Sequence, residues 1–275
     1  MYRRVLLALD LEGVNRVVGE PYSGLVKGCE QWEVARAQAV LEINAAASAL
    51  FEAGVEQVGL WDNHGSHQIV DRSLVDPRVT VVEEELSRPR MYFAAGAYDC
   101  ICYFGYHAME GTLGGVLAHT MSSAKVQFYR LNGHYIGEID MDAYIAAAHG
   151  IPSCFFAGGN IACAQAERAV PGIVTVVTKT ELSRNEAIFR DNGELFTEIG
   201  EAIVRAVQEE HPIRMLTYPA TMEKSFKRME DAANYLKKLH DRGILAEHPV
   251  EERLGRDAHT VVATLHSIED LIRCI

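Results

Sequence analysis

The chain has 275 residues, with 26 Lys and Arg against 38 Asp and Glu, a formal charge of -12. The acid surplus excludes nucleic acid or an anionic membrane surface as the main partner, because both are held through excess Lys and Arg, and it suits cations instead. With 48% hydrophobic and 23% charged residues, the composition is that of a globular protein with a sizeable core and excludes a disordered or low-complexity chain.

The opening MYRRVLLALDLEG sets two arginines before an apolar run, but Asp10 and Glu12 break that run too early for a signal peptide. No segment reaches the roughly 18 apolar residues of a membrane span. Val5 to Leu9 (VLLAL) instead predicts a strand buried on both faces. After a Gly-containing stretch from Val14 to Glu30, Trp32 to Ala53 carries apolar residues at helical spacing (Val40, Ile43, Ala47, Leu50, Phe51) and stops at Gly54. VGLW at 58–61 is a second strand, which closes a βαβ unit with parallel neighbours. Cys100 to Phe104 then reads as a strand, Met141 to His149 as a helix and Ser153 to Ala157 as a strand. Ile161 to Val170 reads as a helix, Ile173 to Val177 as extended and Gly193 to Glu210 as a long amphipathic helix.

From His211 the pattern changes. Met215 to Phe226 and His259 to His266 are predicted strands, and Glu230 to His240 and Ile268 to Ile275 predicted helices. The expected fold class is therefore α/β, a mostly parallel sheet with flanking helices, plus a smaller C-terminal α+β portion. The expected division is a catalytic domain over 1–210 and a second portion over 211–275 that shapes the substrate pocket and oligomer contacts. The six cysteines form no CxxC pair and read as reduced thiols, which points to the cytoplasm.

The chemistry gathers where strands end. Asp10 and Glu12 lie two apart beyond the first strand, so an extended backbone turns both to one side. Carboxylates held that close repel unless a cation lies between them or one is protonated; the bland alternative is a helix-capping pair or solvated loop acids. The second strand runs into Asp62, Asn63 and His64, and CICYF runs into Gly105, Tyr106 and His107. In an open α/β sheet the crevice beyond the strands' carboxyl ends is the ligand site. A short extended pair bearing His119 and Glu138 is expected to return over the same edge. Each residue also has an ordinary reading: a turn histidine for His64, beside His67, a satisfied core histidine for His107, a loop histidine for His119, and an edge acid or helix-start residue for Glu138. Mixed carboxylates and imidazoles without cysteine suit zinc or a similar divalent ion, and five candidates exceed one tetrahedral site.

Five segments, LDLEGV at 9–14, WDNHGS at 61–66, FGYHAMEG at 104–111, GGVLAHTM at 114–121 and IGEIDMDAY at 136–144, together resemble the DppA-type zinc-dependent D-aminopeptidases. The resemblance extends to about residue 185 and more weakly beyond. It implies that Asp10, Glu12, His64, His107 and Glu138 ligate two zinc ions per subunit, with Asp10 as the bridge, and that His119 is the catalytic residue. It also implies a hydrolase that releases an N-terminal residue, a D-amino acid such as D-alanine, from short peptides or amides, assembled as a homo-oligomeric decamer of two pentameric rings. Asp62 and Asn63 are candidates to orient His64. Lys179, Ser183 and Arg184 echo the family and are expected near the site, against the plain reading of a solvated loop. Gly158, Gly159 and Asn160 stand where the family carries acidic residues. The alternatives are another two-metal hydrolase, such as a phosphoesterase, or a non-catalytic metal-binding oligomer. A phosphoesterase would favour Arg or Lys beside the metals, and the nearest in sequence to the ligand motifs are Lys125 and Arg130.

Overall fold

In the computed structural model the VLLAL run forms β1 (Arg4–Leu9), followed by α1 (Glu30–Glu52), β2 (Gln57–Asp62), a short β3 (Thr80–Val82) and β4 (Cys100–Tyr106). Next come β5 (Val126–Leu131), β6 (His134–Ile136), α2 (Glu138–Ala148), β7 (Ser153–Gly158), α3 (Asn160–Ala169) and β8 (Val174–Val177). A hairpin of β9 (Lys179–Ser183) and β10 (Glu186–Phe189) leads into α4 (Asn192–Gln208). The remainder is β11 (Ala220–Phe226), α5 (Met229–Asp241), β12 (Ala246–Glu247), β13 (Val250–Glu251), β14 (Gly255–Arg256), β15 (Thr260–Leu265) and α6 (Ile268–Cys274). The structure describes all residues except 22–23, 66–68, 84–89, 248–249, 252–254 and 257, so His67 lies outside the described residues.

The main sheet has the order β3-β2-β1-β4-β7-β8 and every pairing in it is parallel. Its strands alternate between two cores because side chains alternate across a sheet. Val5, Leu7, Leu9, Cys100, Cys102 and Phe104 face the core that α1 and α4 cover. Leu6, Ala8, Ile101 and Tyr103 face the other, shared with α2 and the second sheet. Burial of both faces is what the unbroken apolar run required. The chain steps from β1 out to β2 and β3, then returns to place β4 on the other flank of β1. That reversal makes the β1/β4 edge a topological switch point, the usual seat of a ligand in such sheets.

The second sheet, β12-β15-β11-β5-β6, is antiparallel and joins β5 and β6 to strands from the C-terminal portion. The sheet order therefore crosses residue 211. The strand expected from Met215 begins only at Ala220, after Pro219, which has no N–H to give a ladder. The extended pair expected at His119 and Glu138 is corrected: the paired strands are β5 and β6, His119 lies in a loop, and Glu138 opens α2. The helix begins there because the Asp140 carboxylate accepts from Gly137 N at 2.8 Å, an N-terminal cap. Among the described residues no helix is long and apolar enough to cross a membrane. All six cysteines are free thiols.

Candidate metal centre

Three neighbouring strand ends deliver the residues. β1 ends in Asp10, whose N–H donates to the Phe104 carbonyl at 2.8 Å; Gly13 N donates to the Gly105 carbonyl at 2.6 Å. These bonds press the turn after β1 onto the end of β4, and glycine makes the approach feasible. A Cβ on Gly105 would fall 1.9 Å from the Asp10 carbonyl oxygen, and its φ is +69°. β4 thereby bulges at Gly105 and releases His107 just past its end.

Asp10 lies between two imidazoles. Its Oδ1 is 2.7 Å from His64 Nδ1, and its Oδ2 is 3.4 Å from His107 Nε2. Glu12 Oε2 is 3.1 Å from His64 Nδ1 but makes no hydrogen bond, although it is buried. Glu138 Oε1 is 3.5 Å from His107 Nε2 and 4.0 Å from His119 Nε2, and accepts from Met121 N at 2.6 Å. His107 and His119 stack with ring centroids 3.9 Å apart. Each has its Nδ1 against a carbonyl, His107 against Ala108 at 3.0 Å and His119 against Leu117 at 2.8 Å. As donors there, both rings keep the proton on Nδ1 and present Nε2 to the carboxylates. Candidate ligand atoms of Asp10, Glu12 and His107 lie within 4.8 Å of one another, as do those of His107, His119 and Glu138.

The electrostatics follow from crowding. Burial disfavours a charged His64 and His107, but Glu12, Asp10 and Glu138 around them reverse the effect, raising His64 to about 11 and His107 to about 10. Burial likewise pushes Asp10 up, and the two imidazoles outweigh it, holding its carboxyl well below the usual range. The donor set is three carboxylates and three imidazoles with no sulfur, and it includes a buried, unbonded Glu12 oxygen; it fits zinc, whose ligands are nitrogen and carboxylate oxygen in such sites.

The cavity over these residues measures about 320 Å³ and is also walled by Arg90 and Asn63. Arg90, which precedes β4, has no motif or periodicity that marks it in the sequence. Its guanidinium grips Asp142 through Nε at 2.7 Å and Nη2 at 2.9 Å, donates to Asn63 Oδ1 at 2.8 Å, and lies 4.8 Å from the Trp61 ring centre. Asn63 and Tyr106 both donate to the same buried Asp142. The role expected for Asp62 and Asn63 is thereby corrected: Asp62 Oδ2 accepts from Ile69 N and Val70 N, Asn63 serves the Asp142 cluster, and the described partners of His64 Nδ1 are Asp10 and Glu12. Lys125 approaches Asp231 at 4.0 Å, and Arg130 bonds Tyr135 and Glu223, so neither cation faces the cavity.

Of the TKTELSR segment, Lys179 is buried beneath the loop after β1, Arg184 reaches the Ala118 carbonyl at 2.8 Å, and Ser183 is exposed. The Gly158–Asn160 turn has an acid against it all the same, since the Glu181 carboxylate occupies the space a Gly159 side chain would fill.

The peptidase M55, or D-aminopeptidase, family model matches residues 3–241. A D-aminopeptidase of Bacillus subtilis (strain 168) is 23% identical over 219 residues, 78% of each chain. The solved structure of the Zn-dependent D-aminopeptidase DppA from Bacillus subtilis, a self-compartmentalizing protease, shares the fold with a TM-score of 0.85, 18% identity, and coverage of 98% of this chain and 94% of that one. The match over most of the sequence means that the chain belongs to the D-aminopeptidase family of metal-dependent peptidases, peptidase M55.

Proposed function

We propose that the protein is a dinuclear zinc aminopeptidase that removes the N-terminal residue, a D-amino acid such as D-alanine, from short peptides or amides. The observation that carries this reading is the convergence of Asp10, Glu12, His64 and Glu138 on one cavity, with His107 buried against Asp10 and Glu138 and a buried Glu12 oxygen that makes no hydrogen bond among the described residues. Asp10 turns one oxygen to each of two imidazoles, so it would be the residue shared between two ions. In this reading Asp10, Glu12, His64, His107 and Glu138 would hold the two ions. Paired zinc ions supply Lewis-acid polarisation of the scissile carbonyl and bring a water toward ionisation near neutral pH.

His119 presents Nε2 to the cavity at the Glu138 side, placed to take a proton from the attacking water and return it to the leaving amine. This acid–base role needs no covalent intermediate on the imidazole. Of the alternatives, a phosphoesterase would call on a cation to meet the transferred group, and Arg90, the guanidinium in the cavity wall, is gripped by Asp142. Assembly into two pentameric rings and residence in the cytoplasm belong to the same reading.

The test pairs metal analysis with a panel of D- and L-amino-acid amides and phosphate esters on one sample. About two zinc per chain and turnover of D-alanyl amides are expected. His119→Ala is expected to keep both ions and lose turnover by about 10²-fold or more. Loss of one ion in that variant would make His119 a ligand instead, and normal turnover would remove it from the mechanism.

A further inference from the structure

We infer that the β9–β10 hairpin is a two-armed positioning device for the reaction centre: Lys179 fixes the turn that carries Glu12, and Glu181 with Arg184 fixes the loop that carries His119. The inference rests on the zinc aminopeptidase reading above and assigns these three side chains as positioning residues.

Alternation along β9 turns Lys179 and Glu181 inward and Thr180 and Leu182 outward. Lys179 is fully buried and its ammonium donates to three carbonyls, those of Glu12 at 2.5 Å, Val14 at 3.0 Å and Val17 at 2.6 Å. Thr178 adds a bond from Oγ1 to the Gly13 carbonyl at 2.6 Å. Carbonyls that converge on one interior point cannot bond each other, and an apolar side chain of the same volume would leave all of them without donors. A point cation with three donors satisfies them together, as a tethered metal ion would. Burial pushes this ammonium down to about 8, so its presence is costly as mere filling.

The other arm ends at His119. Glu181 accepts from Val116 N at 2.7 Å and from Ile161 N at 2.9 Å. Leu117 N donates to the Arg184 carbonyl at 2.9 Å, and the Arg184 guanidinium donates to the Ala118 carbonyl at 2.8 Å. The backbone they hold is unfavourable by itself: Leu117 has φ +51° and Met121, two residues past His119, has φ +63°. The Leu117 carbonyl in that held turn is the acceptor that sets the His119 tautomer. One hairpin thus braces a metal-ligand turn and the loop of the proton-transfer residue, which lie about a hundred residues apart in sequence.

The test measures zinc dissociation by chelator competition and kcat and KM for a D-alanyl amide, on folded full-length protein. Lys179→Met should weaken zinc binding by about 10-fold or more, the usual effect of losing an outer partner of a ligand. Glu181→Gln keeps one acceptor where two N–H groups need one each; it should leave zinc affinity unchanged and lower kcat by up to about 10²-fold with KM nearly constant. Lys179→Arg, which keeps the charge but not the convergence of donors, and the exposed Arg184→Gln carry the test if the first pair do not fold; smaller effects of the same split are expected. Unchanged zinc affinity in the Lys179 variants, or equal loss of affinity and kcat in all variants, would overturn the inference. If the wild type binds zinc but cleaves no amide, the aminopeptidase reading fails separately. Zinc competition then still decides the Lys179 arm, and the rate of diethyl pyrocarbonate modification of His119, expected to rise in Glu181→Gln, decides the other.

Discussion

Replacing Glu42 by Gln should make the protein more stable at alkaline pH and leave it nearly unchanged in acid. Glu42 is fully buried in the middle of α1, where Oε1 accepts from Asn15 N at 2.8 Å and Gln38 Nε2 at 3.0 Å, while Oε2 has no hydrogen-bond partner among the described residues. Burial raises its carboxyl from 4.5 to about 7, against the lowering effect of those two bonds and of the Lys179 charge. Between these values the folded chain keeps a proton that the unfolded chain has released. The unfolded state binds fewer protons, so stability falls as pH rises through this window and levels off above it. At 1.36 kcal/mol per tenfold, the whole displacement is about 3 kcal/mol, of which roughly 2 to 3 is lost between pH 5 and 8. Gln keeps the Oε1 acceptor and never ionises; its unpartnered amide adds a constant that does not depend on pH. Urea unfolding of both chains at about pH 5, 6, 7 and 8 gives the difference directly, and other groups that titrate in both chains cancel. A difference in unfolding free energy that stays flat over this range, or that favours the wild type as pH rises, would refute the assignment of a costly buried charge.

The remaining predictions concern the frame of the site. Gly105→Ala places a methyl 1.9 Å from the Asp10 carbonyl oxygen at φ +69°; a loss of more than about 3 kcal/mol in chemical denaturation is expected, together with reduced zinc content, and wild-type values of both would contradict the close approach of β1 and β4. Asp142→Ala removes the buried carboxylate that takes bonds from Arg90, Asn63 and Tyr106, and should cost about 3 to 5 kcal/mol by the same measurement. Asp142→Asn, which keeps acceptor capacity but not the charge, should fall between that variant and the wild type.

The sheet was legible because its central strands are buried on both faces and so write themselves as apolar runs, VLLAL and CICYF among them. The same runs made the cavity residues legible, since an abrupt change to Asp, Glu or His at the end of a buried strand marks the edge of the sheet. What escaped was the part built from buried charge. KTEL at the start of β9 has the composition of a solvated loop, yet Lys179 and Glu181 are both buried. Hydrophobic periodicity treats charge as exposure, and cannot register a lysine whose partners are carbonyls scattered over residues 12–17. Arg90 and Asp142 escaped for a related reason: 52 residues separate them, and only the fold shows that a buried Asp142 holds the Arg90 of the cavity wall. The letters GGVLAHT predict an extended segment at His119 because nothing in them reveals that Leu117 takes a positive φ.

The disposition of these cations bears on the metal centre itself. Asp10, Glu12 and Glu138 put three carboxylates into one small region, and the imidazoles of His64 and His107 between them offset their mutual repulsion. Among the described residues, Lys179 and Arg90 are cations near that region, and neither bonds those carboxylates. Lys179 bonds the carbonyl of Glu12, not its carboxylate, and Arg90 is held by Asp142. An ammonium on Glu12 Oε2 would take up a buried oxygen that makes no hydrogen bond among the described residues, and in doing so would compete with any ion for it. Because Lys179 serves the backbone, the turn is rigid while the carboxylates keep their capacity for a divalent ion. The fold thus separates two duties that a single salt bridge would confuse: fixing where Glu12 stands, and deciding what it binds.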